Sequence, residues 1–181
     1  SINIGINGSF AVWVGTLVPD IKQEILLITE LGREDEVITR LARVGYDNAI
    51  GYLDGGIDAW INAGKETESI PTVSVVEFAA AEVANPDINI LDVRKKSEYD
   101  SEHIVNAINA PLDYVNNSMT AVDKNKTYYV HCAGGYRSMV FASILKARGY
   151  NNLIDVDGGF ASIKSSGKSK ITDYVCPSTM L

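Results

Sequence analysis

His131-Cys132-Ala133-Gly134-Gly135-Tyr136-Arg137-Ser138 stands where one periodicity gives way to another. Before it, Thr127-Tyr128-Tyr129-Val130 is apolar and β-prone. After it, Met139, Phe141, Ile144 and Leu145 recur at helical spacing. The stretch predicts a strand that ends at a cysteine, a short glycine-containing loop and a helix start. A thiol placed there faces backbone N–H groups and the positive end of a helix dipole, which favour its nucleophilic, anionic form. Gly134 and Gly135 allow backbone angles that a Cβ resists. Arg137 adds a fixed charge with a planar donor fork suited to oxyanions. A lone cysteine after an apolar strand is ordinarily a small buried hydrophobe. The glycines, Arg137, Ser138 and the helix start together outweigh that reading.

The loop, with Cys132, four residues, Arg137 and Ser138, resembles the active-site loop of rhodanese-family sulfurtransferases. Upstream, Leu91-Asp92-Val93-Arg94 with Glu98 and Tyr99, then His103 through Leu112, resemble that family's second strand and the segments after it. Downstream, Gly149-Tyr150 and Asp157-Gly158-Gly159-Phe160 resemble its closing strand and turn. The pieces keep family order over about a hundred residues, a normal domain size.

The bounds of the chain agree. It has 181 residues, 46% of them apolar and 22% charged, enough for one large or two small cores. A formal charge of −7 argues against nucleic acid and anionic membranes as partners. Two cysteines suit a reducing compartment, and no run approaches the ~20 apolar residues of a membrane span. The expected location is cytoplasmic.

An internal repeat is visible. Arg33 through Asn48 parallels Arg137 through Asn152, and Leu53-Asp54-Gly55-Gly56-Ile57 parallels Val156 through Phe160. Ser1 through Ile6 parallels Ala107 through Leu112. The expectation is an α/β, rhodanese-like three-layer α/β/α fold with a central parallel sheet, in two copies, the first truncated. Its parts are a partial, cysteine-less copy over 1–64, a linker over 65–72, a catalytic-type copy over 73–168 and a C-terminal tail over 169–181. Nothing in the first copy corresponds to Val73 through Val105. Its loop, Thr29-Glu30-Leu31-Gly32-Arg33, lacks a thiol, and Glu30 near the nucleophile position would repel an anion. Its helix, Glu34–Val44, has acidic residues at its start and Val37, Ile38, Leu41 and Val44 on its apolar face. Phe10, Trp13 and Trp60 read as core or interface aromatics.

In the second copy, Val73–Val75 and Ile88–Val93 read as strands around a helix from Val76 to Val83. Asp92, Arg94 and Glu98 are catalytic by type. The resemblance implies that the arginine and glutamate pair and hold the loop, with Asp92 near the pocket rim. His131 adjoins Cys132 but points to the opposite face of a strand, so a packed histidine is expected. Two histidines and two cysteines at these spacings make no metal site. The tail is read as packing loosely, with Cys176 as a possible resolving thiol.

The resemblance implies a sulfurtransferase without a cofactor. Cys132 takes sulfane sulfur from thiosulfate or a small persulfide and passes it to a thiol acceptor. Ala133, Gly134, Gly135, Tyr136 and Ser138 bind the sulfur through backbone N–H groups, Arg137 steadies the donor or the loop, and Ser138 caps the helix. Ala133 stands where efficient thiosulfate users often carry a basic residue, which favours a persulfide donor. The alternatives are a non-catalytic interaction or carrier module and a phosphatase or arsenate-type enzyme. The tandem arrangement also resembles bacterial fusions with a metallo-β-lactamase-fold hydrolase. That implies such a domain as a partner, while the unpaired strand edges of an unfinished first copy invite a second chain in a homodimer.

Overall fold

In a computed structural model of the chain, residues 1–176 and 179 are described. The chain divides into two compact units, one of Ile4–Ser69 and one of Ser1–Asn3 with Ile70 onward.

The smaller unit runs α1 (Phe10–Leu17), β1 (Ile25–Leu27), α2 (Glu34–Ala42), β2 (Ala49–Tyr52) and α3 (Gly56–Asn62). β1 and β2 pair in parallel, with a register shift after Ile25. Strand alternation sends Leu27 toward α1 and α2, into a cluster with Phe10, Val14, Val37, Leu41 and Tyr46. The alternate residues Leu26, Ile28, Ile50 and Tyr52 are exposed, an uncovered apolar sheet face. Phe10 and Trp13 are buried, whereas Trp60 is exposed. α2 stops at Ala42, short of the expected Val44, because Val44 and Gly45 fold into a turn whose N–H groups bond to Leu41 and Ala42.

The larger unit runs β3 (Thr72–Val73), α4 (Val75–Ala84), β4 (Asn89–Asp92), α5 (Lys96–Ser101), β5 (Ile108–Asn109), α6 (Val115–Ser118), β6 (Tyr128–His131), α7 (Tyr136–Ala147), β7 (Leu153–Val156) and α8 (Gly159–Ser166). Its five strands form a parallel sheet in the order β3-β7-β6-β4-β5. Ile90 and Val156 face Phe78 of α4 and Phe160 and Ile163 of α8. Their strand neighbours Leu91 and Asp155 therefore face the other way, as does Val130, which is in register with both. α7 packs on β6 and β7. β3 is shorter than expected because Ser74 leaves the strand to cap α4, in a reciprocal capping box with Glu77.

Two expected boundaries move. Pro71 lies in the sheet unit, its carbonyl accepting the Asp155 N–H at 2.8 Å, so the linker does not extend to residue 72. The expected loose tail is tied down. Ile171 bridges Ile104, Thr172 N–H bonds to His103 O, and Val175 exchanges hydrogen bonds with Ser101. Pro177, Ser178, Met180 and Leu181 of that expected tail lie outside the described residues. Among the described residues no helix is long and apolar enough to cross a membrane.

The turn from β7 into α8 has no room for a side chain. A Cβ on Gly159 would meet Cys132 O at 2.5 Å and Ala133 C and Gly134 N at 2.9 Å, and φ there is +56°. Gly159→Ala is expected to destabilise the larger unit by about 3 kcal/mol, read by denaturant unfolding. Ser165→Gly, exposed in the last turn of the same helix and away from that contact, should cost only about 0.5 kcal/mol.

Candidate functional site

β6 ends at His131, and Cys132 is the first residue beyond it. Two carbonyls there, Cys132 O and Ala133 O, accept the N–H groups of Phe160 (2.7 Å) and Ala161 (3.1 Å). Those donors belong to the first turn of α8, where N–H groups have no intrahelical acceptor. The start of the loop is thus clamped by the beginning of another helix. The chain then turns through Gly134 and Gly135, the latter at φ +101°, and α7 begins at Tyr136. This turn brings Gly135 N–H to 3.1 Å from Cys132 Sγ. Cys132 is 1% exposed, so its sulfur lies on the floor of the loop.

Arg137 does not present a bare fork. Its Nη1 and Nη2 donate to both carboxylate oxygens of Glu98 on α5, at 2.6 and 2.8 Å. This bidentate contact holds Glu98 below the usual carboxylate range, with its other acceptor bond, from Lys95 N–H, acting in the same direction. It also raises the Arg137 guanidinium further from neutrality, with smaller contributions from Cys132 and Asp113. The pair ties α7 to α5 across the loop.

Asp92 and Arg94 form a separate buried pair. Asp92 is 0% exposed, so it lines no open rim, and accepts from Arg94 Nε at 2.9 and 3.0 Å and from Nη2 at 2.5 Å. Arg94 also donates to Glu102 O and lies 3.8 Å over the Phe160 ring. So Arg94 pairs with Asp92 and Glu98 with Arg137, not with one another. Asp92–Arg94 steadies Phe160, whose N–H clamps the loop.

His131 is fully buried on the face opposite Val130, with Nδ1 3.3 Å from Cys132 O and its ring stacked near Phe160. Burial pushes its pKa down, which keeps the imidazole neutral. Its Nε2 stops 3.9 Å from Asp92 without a hydrogen bond. Ser138 is not the cap of α7; that position is Gly135. The Ser138 hydroxyl lies in the first turn and donates back to Gly135 O at 3.0 Å. Cys176 is exposed, and no disulfide joins it to Cys132.

Sequence reasoning missed three things. Phe160 and Ala161 act through backbone N–H groups, which no side-chain motif reports. Asp155 is 4% exposed beside Ser138; an acid inside the apolar run Leu153-Ile154-Asp155-Val156 was a readable signal. In the smaller unit, a Cβ on Gly56 would meet Thr29 O at 2.7 Å, the contact that Gly159 makes with Cys132 O. By that contact Thr29, rather than Glu30, takes in the smaller unit the place that Cys132 takes in the larger one. Glu30 instead pairs with Arg33.

Residues 75–166, just over half of the chain, match the family described as the rhodanese-like domain. The chain belongs to that family. It is 31% identical over 98 residues to the putative sulfur carrier protein YrkF of Bacillus subtilis, covering 54% of this chain and 53% of that protein. It is 32% identical over 83 residues to the thiosulfate sulfurtransferase GlpE of Coxiella burnetii, covering 46% of this chain and 78% of that one. The solution structure of a rhodanese-like domain from Anabaena is similar with a TM-score of 0.52 at 26% identity, covering 58% and 80% of the two chains. The chain thus spans about half the length of the first of these relatives. One of these relatives is thus named a thiosulfate sulfurtransferase and another a putative sulfur carrier.

Removing one partner of the Glu98–Arg137 fork tests its role. Both groups are partly solvated, so Glu98→Gln should cost only about 1 kcal/mol at neutral pH. The folded-state carboxyl titrates below its unfolded value of ~4.3, so the pair's contribution is complete above that value and disappears as pH falls through the folded one. Unfolding curves of wild type and Glu98→Gln should differ at neutral pH and converge in acid.

Proposed function

We propose that this chain is a rhodanese-type sulfurtransferase in which Cys132 carries sulfane sulfur as a persulfide. The observation behind this reading is the 3.1 Å contact from Gly135 N–H to Cys132 Sγ, made at the start of α7. A sulfur anion at that point is met by an N–H donor and by the positive end of the helix. The thiolate attacks the outer sulfur of a donor. With thiosulfate, a new S–S bond forms on Cys132 as the bond to the sulfonate sulfur breaks and sulfite leaves. With a small persulfide, the departing group is its thiolate. An acceptor thiolate then attacks the outer sulfur, carries it away and restores Cys132.

The cradle suits one transferred atom. Cys132 is buried to 1% exposure and only four residues separate it from Arg137, so the loop closes tightly over the sulfur. That enclosure counts against a phosphatase or arsenate-type reaction, which must seat a tetrahedral oxyanion beside the nucleophile. Because Glu98 takes both forks of Arg137, donor recognition falls mainly to the backbone of Ala133, Gly134, Gly135 and Tyr136. A small persulfide, which has no sulfonate for a cation to hold at the reacting sulfur, is the better donor than thiosulfate on that account.

The burial of Cys132 also supports a second reading, a non-catalytic rhodanese-like module within a larger protein. The unit Ile4–Ser69 fits either. It is read as a partial copy of the same fold, with Thr29 replacing the nucleophile and its loop shorter by one residue. The uncovered apolar face of β1 and β2 supports a further partner for that unit, whether a metallo-β-lactamase-fold domain or a second chain. A cytoplasmic setting, where thiols stay reduced, fits a working Cys132.

Intact-mass measurement after incubation with thiosulfate, and separately with glutathione persulfide, should show one added sulfur, larger in extent with the persulfide. Cys132→Ser should abolish it, while Cys176→Ser should leave it unchanged. No added sulfur with either donor would favour the module.

A further inference from the structure

The Glu98–Arg137 fork stands beside the loop of Cys132 as well as between two helices. Arg137 is the only cationic side chain from Cys132 to Ser138. Its Nη1 and Nη2 both end on the Glu98 carboxylate, at 2.6 and 2.8 Å. Glu98 Oε2 also accepts the Lys95 N–H, at 3.1 Å. The Arg137 side chain is 16% exposed and that of Glu98 34%, so the carboxylate is the more solvated partner. A carboxylate and a sulfonate offer a guanidinium the same thing, oxygens that share a negative charge. Glu98 thus fills, with an oxyanion from the chain itself, the place where Arg137 would hold the oxyanion of a donor.

The neighbouring charges do not make up for this. Asp113, just before α6, has Oδ1 3.9 Å from Lys95 Nζ. Its Oδ2 is buried without a hydrogen-bond partner. Arg137 feels the Asp113 charge in addition to that of Glu98. The acids Glu98 and Asp113 therefore cancel the cations Arg137 and Lys95. Thiosulfate, a dianion, meets no net positive charge there and has to expel Glu98 to reach the fork. Expulsion would leave a carboxylate unpaired beside a bound like charge. A persulfide has no sulfonate at its reacting sulfur and needs no such exchange.

We propose that Glu98 is the specificity-determining residue of the site: its carboxylate occupies the oxyanion position on Arg137 and so excludes sulfonate-bearing donors in favour of persulfides. The donor consequence rests on the sulfur-transfer reading; the occupied oxyanion position does not. Glu98→Gln keeps the shape of the side chain and one acceptor for Arg137, removes the charge, and lets a sulfonate compete for the fork. With thiosulfate, the Cys132 thiolate then forms its S–S bond as the bond to the sulfonate sulfur breaks, and sulfite leaves with the electron pair beside Arg137 rather than beside a carboxylate. A fork that only tied α7 to α5 predicts otherwise. Breaking it would slow both donors alike and leave their ratio unchanged.

The oxyanion position is tested first without sulfur transfer. In Cys132→Ser protein, the Arg137 Nε–H resonance is followed as thiosulfate is added at constant ionic strength. With Glu98→Gln added, half-saturation should come at about tenfold lower thiosulfate. Equal titrations, or no titration in either form, would overturn the proposal. Sulfur loading of Cys132 is then timed by intact mass with thiosulfate and with glutathione persulfide. The thiosulfate-to-persulfide rate ratio should rise about tenfold in Glu98→Gln. Adding Arg137→Lys, which keeps the charge but not the planar fork, should cancel that rise. An unchanged ratio, or a rise that survives Arg137→Lys, would overturn the proposal equally. Thiosulfate binding gained in Glu98→Gln, with no loading from either donor in any form, would remove the sulfur-transfer reading and leave Glu98 as the group that closes the oxyanion position.

Discussion

The two hydrogen bonds from the first turn of α8 to Cys132 O and Ala133 O are what the rest of the site depends on. They exist because Gly159 has no Cβ. With Gly159 so close to Cys132 O, α8 can start against the end of β6 and spend its otherwise unpaired N–H groups on the loop. The backbone at Cys132 is thus fixed by an element far along the chain, while its side chain is met from the near side by Gly135 N–H. In both contacts the donor is a main-chain N–H, and side chains hold that main chain in place.

Three polar contacts do that holding, from different directions. Asp92–Arg94 lies beneath Phe160 and so supports the clamp. Glu98–Arg137 ties the first turn of α7 to α5. The Ser138 hydroxyl holds Gly135 O from within the first turn of α7. The first two are ion pairs whose charges are satisfied at neutral pH, Asp92–Arg94 buried and Glu98–Arg137 partly solvated. The third carries no charge.

Much of this was legible in the sequence. The change from strand to helical periodicity around Cys132 located the end of β6, the loop and the start of α7. The alternation of strands with helices fixed a parallel α/β sheet, and the neighbouring-residue argument placed His131 on the face away from α7. What failed was pairing. Arg94 and Glu98 lie four residues apart and invite a mutual ion pair, but Arg94 turns back on Asp92 and Glu98 reaches Arg137, 39 positions away. Ser138 looked like a cap because serine favours caps, yet the sharp turn required a glycine there. Long-range partners and positive backbone angles are settled by tertiary packing, which a local reading does not contain.

The comparison of the two Gly-Gly turns carries the argument one step further. Gly56 sits against Thr29 O as Gly159 sits against Cys132 O. The same seat therefore occurs in a unit that has no thiol at that place, so a thiol is not what it requires. It solves a folding problem: a strand must end against the start of a helix, and one pair of glycines allows both backbones to approach.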